Sequence, residues 1–199
     1  MAKSTKSVRS KSSRSNSNSA RSPKARVVSS RVAYDGPVFR VTTDIVDEPG
    51  GIRTRRDVIR HSGSIVVLAV DDSAAEPRIL LEHQYRHAAQ SMMWELPAGR
   101  IEEGESPLAA GRRELLEETG YTARRWKKIL HFYVSPGFLD ETMTIYLACD
   151  LRAGEAQPEA DERIAIRFFP LSMARKMALS GGIRDAKTIS GIFWLSENR

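Results

Sequence analysis

The chain has 199 residues, 41% of them hydrophobic and 28% charged, which suits one well-packed domain with an appendage and excludes two ordinary domains. Its longest apolar runs, such as Gly63 to Val70, fall far short of the roughly 20 residues that cross a bilayer, so no membrane association is expected. The net charge of +6 belongs to one end: residues 1 to 34 hold nine Lys/Arg and no acid, whereas the remainder holds 22 Lys/Arg against 25 Asp/Glu.

Residues 1–30 are rich in Ser, Lys and Arg and nearly devoid of apolar side chains. Such a segment buries too little surface to offset the entropy of ordering, so a disordered tail is expected, without the apolar stretch of a secretory signal. Three roles fit it: a solubilising extension, weak contact with nucleic acid or another polyanion through counterion release, and an organelle transit sequence.

From Arg31 the pattern turns to short alternations, with Val38, Arg40 and Thr42 set around Phe39, Val41 and Thr43, and residues 31–60 are expected to form an N-terminal strand extension to a main domain over 61–199. Further strands are predicted at Arg53–Ile59, Gly63–Asp71 and Arg78–Tyr85, the last two joined by turn-forming Asp71-Asp72-Ser73 and Glu76-Pro77. Trp94 to Leu96 is a short strand stopped by Pro97. A helix then opens at Ser106 with Pro107 in its first position and closes at Gly120, a residue free to take the left-handed conformation that ends helices. Strands follow at Lys128–Val134, Thr142–Leu151 and Arg163–Phe169, then helices at Ser172–Ser180 and Asp185–Leu195. Cys149 is the lone cysteine and sits in an apolar strand, so no internal disulfide is possible and a cytoplasmic setting is expected. Many short strands around a few helices make an α+β domain with helices covering a curved mixed sheet.

The segment Gly99 to Tyr121 packs six glutamates into 23 residues. At about 100° per residue, Glu114, Glu117 and Glu118 fall in one sector of the helix, and Leu108, Leu115 and Leu116 in another. A carboxylate face this dense repels itself and calls for a cation. Hard divalent ions such as Mg²⁺ and Mn²⁺ prefer carboxylate oxygens and share their shell with water and substrate phosphates. Such an ion polarises a phosphoryl oxygen, lowers the pKa of a bound water and neutralises a leaving phosphate, which together suit hydrolysis of a phosphoanhydride. Arg113 points about 100° away from Glu114 and is expected to fix a neighbouring carboxylate rather than touch substrate. His83, His87 and His131 have no spacing that competes for a metal.

The same segment resembles the Nudix box, a glycine, five residues, a glutamate, seven residues, then R-E-U-x-E-E-x-G-U with U a bulky apolar or similar residue. Gly99, Glu105, Arg113, Glu114, Leu115, Glu117, Glu118, Gly120 and Tyr121 meet every fixed position. The resemblance implies a loop-helix-loop on an α/β/α sandwich that binds Mg²⁺ or Mn²⁺. It makes Glu114 and Glu118 the principal metal ligands, Ala98 a ligand through its carbonyl, and Glu117 a further ligand or the base.

Outside the box, Pro136 stands sixteen residues past Gly120 and looks like the marker that follows the box in ADP-ribose pyrophosphatases. Gln84-Tyr85-Arg86, Trp94 to Gly99 and Gly182 to Thr188 also resemble that subfamily, so the likeness runs from about Val38 to Leu195. It implies cleavage of ADP-ribose to AMP and ribose 5-phosphate, with Arg86, Glu95, Phe39 and Pro136 as substrate contacts. Arg86 offers a planar fork of donors to a diphosphate. A late acidic loop, Glu159, Asp161 and Glu162, supplies Glu162 as metal ligand and catalytic base. Relatives of this type are homodimers whose N-terminal strands reach the partner, which makes Val38–Arg60 the expected contact and Phe39 the adenine platform. The rival substrates are another nucleoside diphosphate sugar (ADP-glucose, GDP-mannose), a dinucleotide or an oxidised nucleoside triphosphate. A rival of another class is a non-catalytic nucleotide sensor with a nucleic-acid-binding tail.

Overall fold

The computed structural model describes residues 24–157 and 163–198, in two sheets and three helices. The first sheet is β1 (Arg26–Asp35), β2 (Arg40–Glu48) and β3 (Ile52–Arg60), antiparallel in that order. Here the expected tail boundary is corrected: residues 26–30 belong to β1. Their composition is that of a solvated segment, and every residue of β1 is exposed, so the strand is held by its backbone ladder to β2 and not by burial. Residues 1–23 lie outside the described part of the chain.

The second sheet has seven strands. β4 (Ser64–Asp71), β5 (Arg78–Arg86), β9 (Thr142–Ala153), β8 (Tyr121–Tyr133) and β10 (Ala165–Pro170) run in the order β10-β5-β4-β9-β8, with β6 (Ser91–Glu95) on β5 and β7 (Ala98–Arg100) on β4. The pairing of β4 with β9 is parallel and the other pairings are antiparallel, so the sheet is mixed. β8 starts seven residues before the predicted strand, because Arg124 to Lys128 lacks an apolar alternation. That stretch belongs to the outer strand of the sheet, where little side-chain burial is demanded.

β4 explains the layering. Seven successive residues, Ser64 to Val70, are buried, which requires cover on both faces. Ile65, Val67 and Ala69 pack with Ala110 and Leu115 of α1 (Pro107–Thr119). Val66, Leu68 and Val70 pack with Leu171 and Ala174 of α2 (Leu171–Leu179) and Ile192 and Leu195 of α3 (Ala186–Glu197). The result is helix, sheet, helix: the expected α+β architecture in three layers.

The two sheets meet where β3 passes into β4. Ile59 exchanges backbone hydrogen bonds with Phe138 and Asp140, and Arg60 forms an ion pair with Asp140. The Arg100 guanidinium donates to the Pro37 carbonyl at 2.9 Å, tying the β1–β2 connection to β7. No helix among the described residues is long and apolar enough to cross a membrane.

Candidate active site

α1 begins where the sequence places it. The Ser106 hydroxyl accepts the Ala109 amide at 3.2 Å, and Gly120 ends the helix with φ of 73°. A side chain at Gly120 would also collide with backbone, since a Cβ there would lie 2.6 Å from the Ala156 nitrogen. With its apolar side set on β4, the helix turns Glu114, Glu117 and Glu118 toward β7 and into a cleft of about 620 Å³.

β7 is the other wall. Ile65 pairs with Gly99 and Val66 with Ala98, so β7 is fixed by the most deeply buried strand of the protein. The Ala98 amide donates to Glu118 Oε2 at 3.1 Å. Gly99 answers a steric demand: a Cβ there would sit 1.8 Å from Glu114 Oε1, so only a residue without a side chain lets that carboxylate lie against the strand.

Arg113 organises the carboxylates. It donates to both oxygens of Glu105 at 3.1 and 3.0 Å, to Glu114 Oε1 at 2.8 Å and to Glu117 Oε2 at 3.1 Å. The hydrogen bonds from Arg113 hold the Glu105 carboxyl below its ordinary value, and those to Glu105 raise the guanidinium above its own. Glu105 therefore anchors Arg113, and Arg113 limits the mutual repulsion of Glu114 and Glu117.

These residues fit a hard divalent cation. Glu114 and Glu118 are one helical turn apart, both largely buried, beside the Ala98 backbone in a cradle kept open by Gly99. Among the described residues no three His, Cys, Asp or Glu side chains close on one point. Arg113 draws Glu114 and Glu117 toward itself, while Glu118 turns one oxygen to Ala98. One or two carboxylates, with water and substrate phosphates completing the shell, is the donor set Mg²⁺ commonly takes.

The cleft also holds cations. Arg86, at the end of β5, and Lys187, in the first turn of α3, line it together with the glutamates. Arg86 sets Nε and Nη2 on the two oxygens of Glu95, each at 3.0 Å. Glu95 lies beneath, outside the cleft lining. Burial pushes its carboxyl up, but the hydrogen bonds from Arg86 and the charge of Lys187 outweigh that and hold it below the ordinary value.

Of the sequence-predicted residues, Ala98, Glu114, Glu117, Glu118 and Arg86 thus share one cleft, with Glu95 behind Arg86. Phe39 does not join them: it is exposed and packs its ring 5.5 Å from that of Tyr34, while its neighbour Val38 lines the cleft. Pro136 is exposed and off the lining. Its loop reaches the rim through Asp140, which accepts the His61 amide, and Glu141, which accepts the Ser64 hydroxyl at 2.6 Å. Glu162, with Glu159 and Asp161, lies outside the described residues. Sequence reasoning passed over His61, Ser62, Ser64, Arg100, Met143 and Lys187, all of which line the cleft. Two of them lay in segments the sequence marked, Arg100 in Gly99 to Tyr121 and Lys187 in Gly182 to Thr188.

A family model described as NUDIX domain matches residues 60–190. The ADP-ribose pyrophosphatase of Bacillus subtilis (strain 168) is 36% identical over 172 residues, which cover 85% of this chain and 91% of that protein. The ADP-ribose pyrophosphatase of Mycobacterium tuberculosis (strain ATCC 25618 / H37Rv) is 35% identical over 169 residues, 83% of this chain and 80% of that protein. Among solved structures, "Crystal structure of ADP compounds hydrolase" superposes with a TM-score of 0.75 at 21% identity, covering 88% of this chain and 94% of that one, which is a likeness of fold.

Proposed function

This chain belongs to the Nudix family, and we propose that it hydrolyses the pyrophosphate bond of ADP-ribose to AMP and ribose 5-phosphate with the help of Mg²⁺ or Mn²⁺. The observation that carries this reading is one cleft lined both by a carboxylate cluster, Glu114, Glu117 and Glu118, and by the half-exposed guanidinium of Arg86, with the nearly buried Lys187 behind it. A dianionic diphosphate needs both: cations that the glutamates hold on one side and fixed donors on the other. The names of the relatives from Bacillus subtilis and Mycobacterium tuberculosis support ADP-ribose as the diphosphate.

Glu114 and Glu118 would hold the metal, with the Ala98 carbonyl beside them. When bound, the metal supplies charge neutralisation and an acidified water. The chain's own residues do the rest. Arg86 grips the diphosphate through the donors that Glu95 leaves unused, so Glu95 acts on substrate through Arg86. Water attacks the phosphorus next to adenosine, the bond from that phosphorus to the bridging oxygen breaks and ribose 5-phosphate leaves, and the proton of the water passes to Glu117, the most exposed of the three glutamates on α1, or to Glu162.

A homodimer belongs to this proposal. β1 exposes Val27, Val28, Val32 and Tyr34, and Phe39 stands exposed close to Val38 on the cleft rim, which supports a partner along this sheet and an adenine stacked on Phe39. A buried free Cys149 suits a reducing cytoplasm.

The test is chromatography of products from ADP-ribose, ADP-glucose, GDP-mannose and NADH with Mg²⁺, beside Glu118→Gln. AMP forms fastest from ADP-ribose, and the variant loses at least about 100-fold in kcat, more than loss of an outer-shell metal partner removes. A faster reaction with another compound overturns the substrate, and a fully active Glu118→Gln overturns the metal site.

A further inference from the structure

The segment Gly182 to Thr188 does more in the structure than bring Lys187 to the cleft. Asp185 caps α3: its Oδ2 accepts the Thr188 amide at 2.9 Å and the Thr188 hydroxyl at 2.6 Å. That hydroxyl in turn accepts the buried Leu96 amide at 2.8 Å, next to Glu95. Between Asp185 and Thr188 stands Lys187, whose ammonium donates to Glu95 Oε2 and pairs with Asp185 Oδ1 at 3.1 Å. Its side chain is only 7% exposed, and Glu95 only 3%, yet both lie directly behind the half-exposed Arg86.

Stability does not call for such an arrangement. Taking an ammonium and a carboxylate out of water costs several kcal/mol per ion, and well-packed apolar side chains of the same volume commonly do as well or better. Thr188 and Leu96 already fasten α3 to the end of β6 without any charge. The buried ions also have a direction. Glu95 takes the Nε–Nη2 edge of the Arg86 guanidinium, and Lys187 donates to Oε2, the oxygen that Nη2 also uses. The carboxylate, held by two cations, thus has one orientation, and Nη1 of Arg86 is left for the cleft that Arg86 lines. Without Lys187, Glu95 would swing with Arg86; with Lys187 paired to both Glu95 and Asp185, the four charges balance and the carboxylate under Arg86 is fixed in place.

We propose that Lys187 is a positioning residue for the diphosphate, which through Glu95 holds the Arg86 guanidinium aimed into the cleft and makes the first turn of α3 part of the substrate site. This inference rests on the diphosphate reading of the cleft. Because Arg86 grips the unreacted diphosphate, the loss of Lys187 appears in KM more than in kcat. Because Lys187 acts through Arg86, it has little left to do once Arg86 is gone.

The experiment is a double-mutant cycle of Lys187→Met and Arg86→Ala, with Lys187→Arg as the rescue, read by steady-state kinetics on ADP-ribose with Mg²⁺ and by thermal melting. Lys187→Met raises KM about tenfold, keeps kcat within about threefold and leaves the Mg²⁺ concentration for half-activation unchanged. Lys187→Arg recovers most of the loss, and the double variant is no worse than Arg86→Ala alone. A lower melting temperature with KM unchanged, or single losses that multiply in the double variant, overturns the proposal. Should Lys187→Met fail to fold, Lys187→Gln, which keeps hydrogen-bonding capacity without the charge, takes its place in the cycle. If the wild-type protein leaves ADP-ribose intact, the reaction proposed above fails separately, and the same cycle is read as calorimetric affinity for inorganic pyrophosphate with Mg²⁺. There, about a tenfold loss in Lys187→Met and no further loss in the double variant upholds Lys187, while equal affinity overturns it.

Discussion

β4 buries Ser64 through Val70 without a single charge, whereas β2, of similar length, buries only Thr42, Asp44 and Val46 and is flanked by β1, exposed throughout, and by the arginine-rich β3. Around β2 the side chains are joined by ion pairs: Arg26 and Arg53 on Asp47, Arg56 on Glu48, Arg60 on Asp44. Most of these pairs are exposed to water, where each contributes little. The seven-stranded body is therefore held by volume filled between layers, and the N-terminal sheet by its backbone ladders with charge arranged around them. The body gives the chemistry a rigid frame; the sheet offers a surface, and one with enough exposed valine, tyrosine and phenylalanine to receive a partner.

The contrast is sharpest for matched apolar truncations. Leu68→Ala opens a cavity between β4 and the α2–α3 layer and lowers unfolding stability by about 2–5 kcal/mol in urea titration. Val32→Ala on β1 moves it by about 0.5 kcal/mol at protein concentrations low enough to exclude association. Equal effects would erase the distinction. Next in size, Gly99→Ala pushes a methyl group against the mobile end of Glu114 and not against backbone. Its melting temperature stays close to that of the parent, while kcat falls about 100-fold, the scale of a 1 Å misplacement at a reacting centre.

Acid bears on both regions, since Asp71 at the end of β4, Glu95 and Glu105 are also held below their ordinary values, but the N-terminal sheet lacks the packed core that absorbs such a loss in the body. Hydrogen bonds from Ser30 to Asp44, from Arg53 and then Arg26 to Asp47, and from Thr43 and then Arg55 to Asp57 hold all three carboxyls below the ordinary aspartate value. A depressed carboxyl stabilises the fold fully above its unfolded value of about 3.9, and that contribution disappears as pH falls toward the lower folded value. Below about pH 4, amide exchange in β1–β3, compared after correction for the intrinsic rate, speeds up several-fold before that of β4 and β9 does. Simultaneous loss of protection in both sheets would contradict the picture. The smallest effect is expected from Arg53→Ala, which removes one of two arginines on Asp47 and shifts the melting midpoint by no more than about 2 °C.

The same contrast governs what could be read from the sequence. α1 was legible to its caps, because Ser106, Pro107 and Gly120 act on their immediate neighbours and the glutamate spacing is a property of one helix. β4 was legible because complete burial leaves an unbroken apolar run. The start of β1 was not: Arg26 to Ser30 has the composition of a solvated tail, and its strand conformation comes from pairing with Asp44 to Asp47, 14 to 21 positions away. His61, Ser62 and Met143 reach the cleft through sheet topology, which no local pattern encodes. Lys187 lay within a segment the sequence marked, but its part depends on Glu95, 92 residues away in the chain.

The parity of β4 has a further consequence. Its odd-numbered side chains face the layer that carries the glutamates, and its even-numbered ones face the layer whose last helix supplies Lys187. Through the short strand β7, the same backbone also sets the height of Ala98 and Gly99. Both halves of the cleft are thus referred to a single ruler, and a repacking that thickened one layer would change the gap between the glutamates of α1 and the Arg86–Lys187 pair. Val38 and Ser62 line the cleft and belong to neither packed layer. Selectivity for the group beyond the diphosphate can therefore be redrawn there by exchange of single side chains, without moving the spacing on which hydrolysis depends.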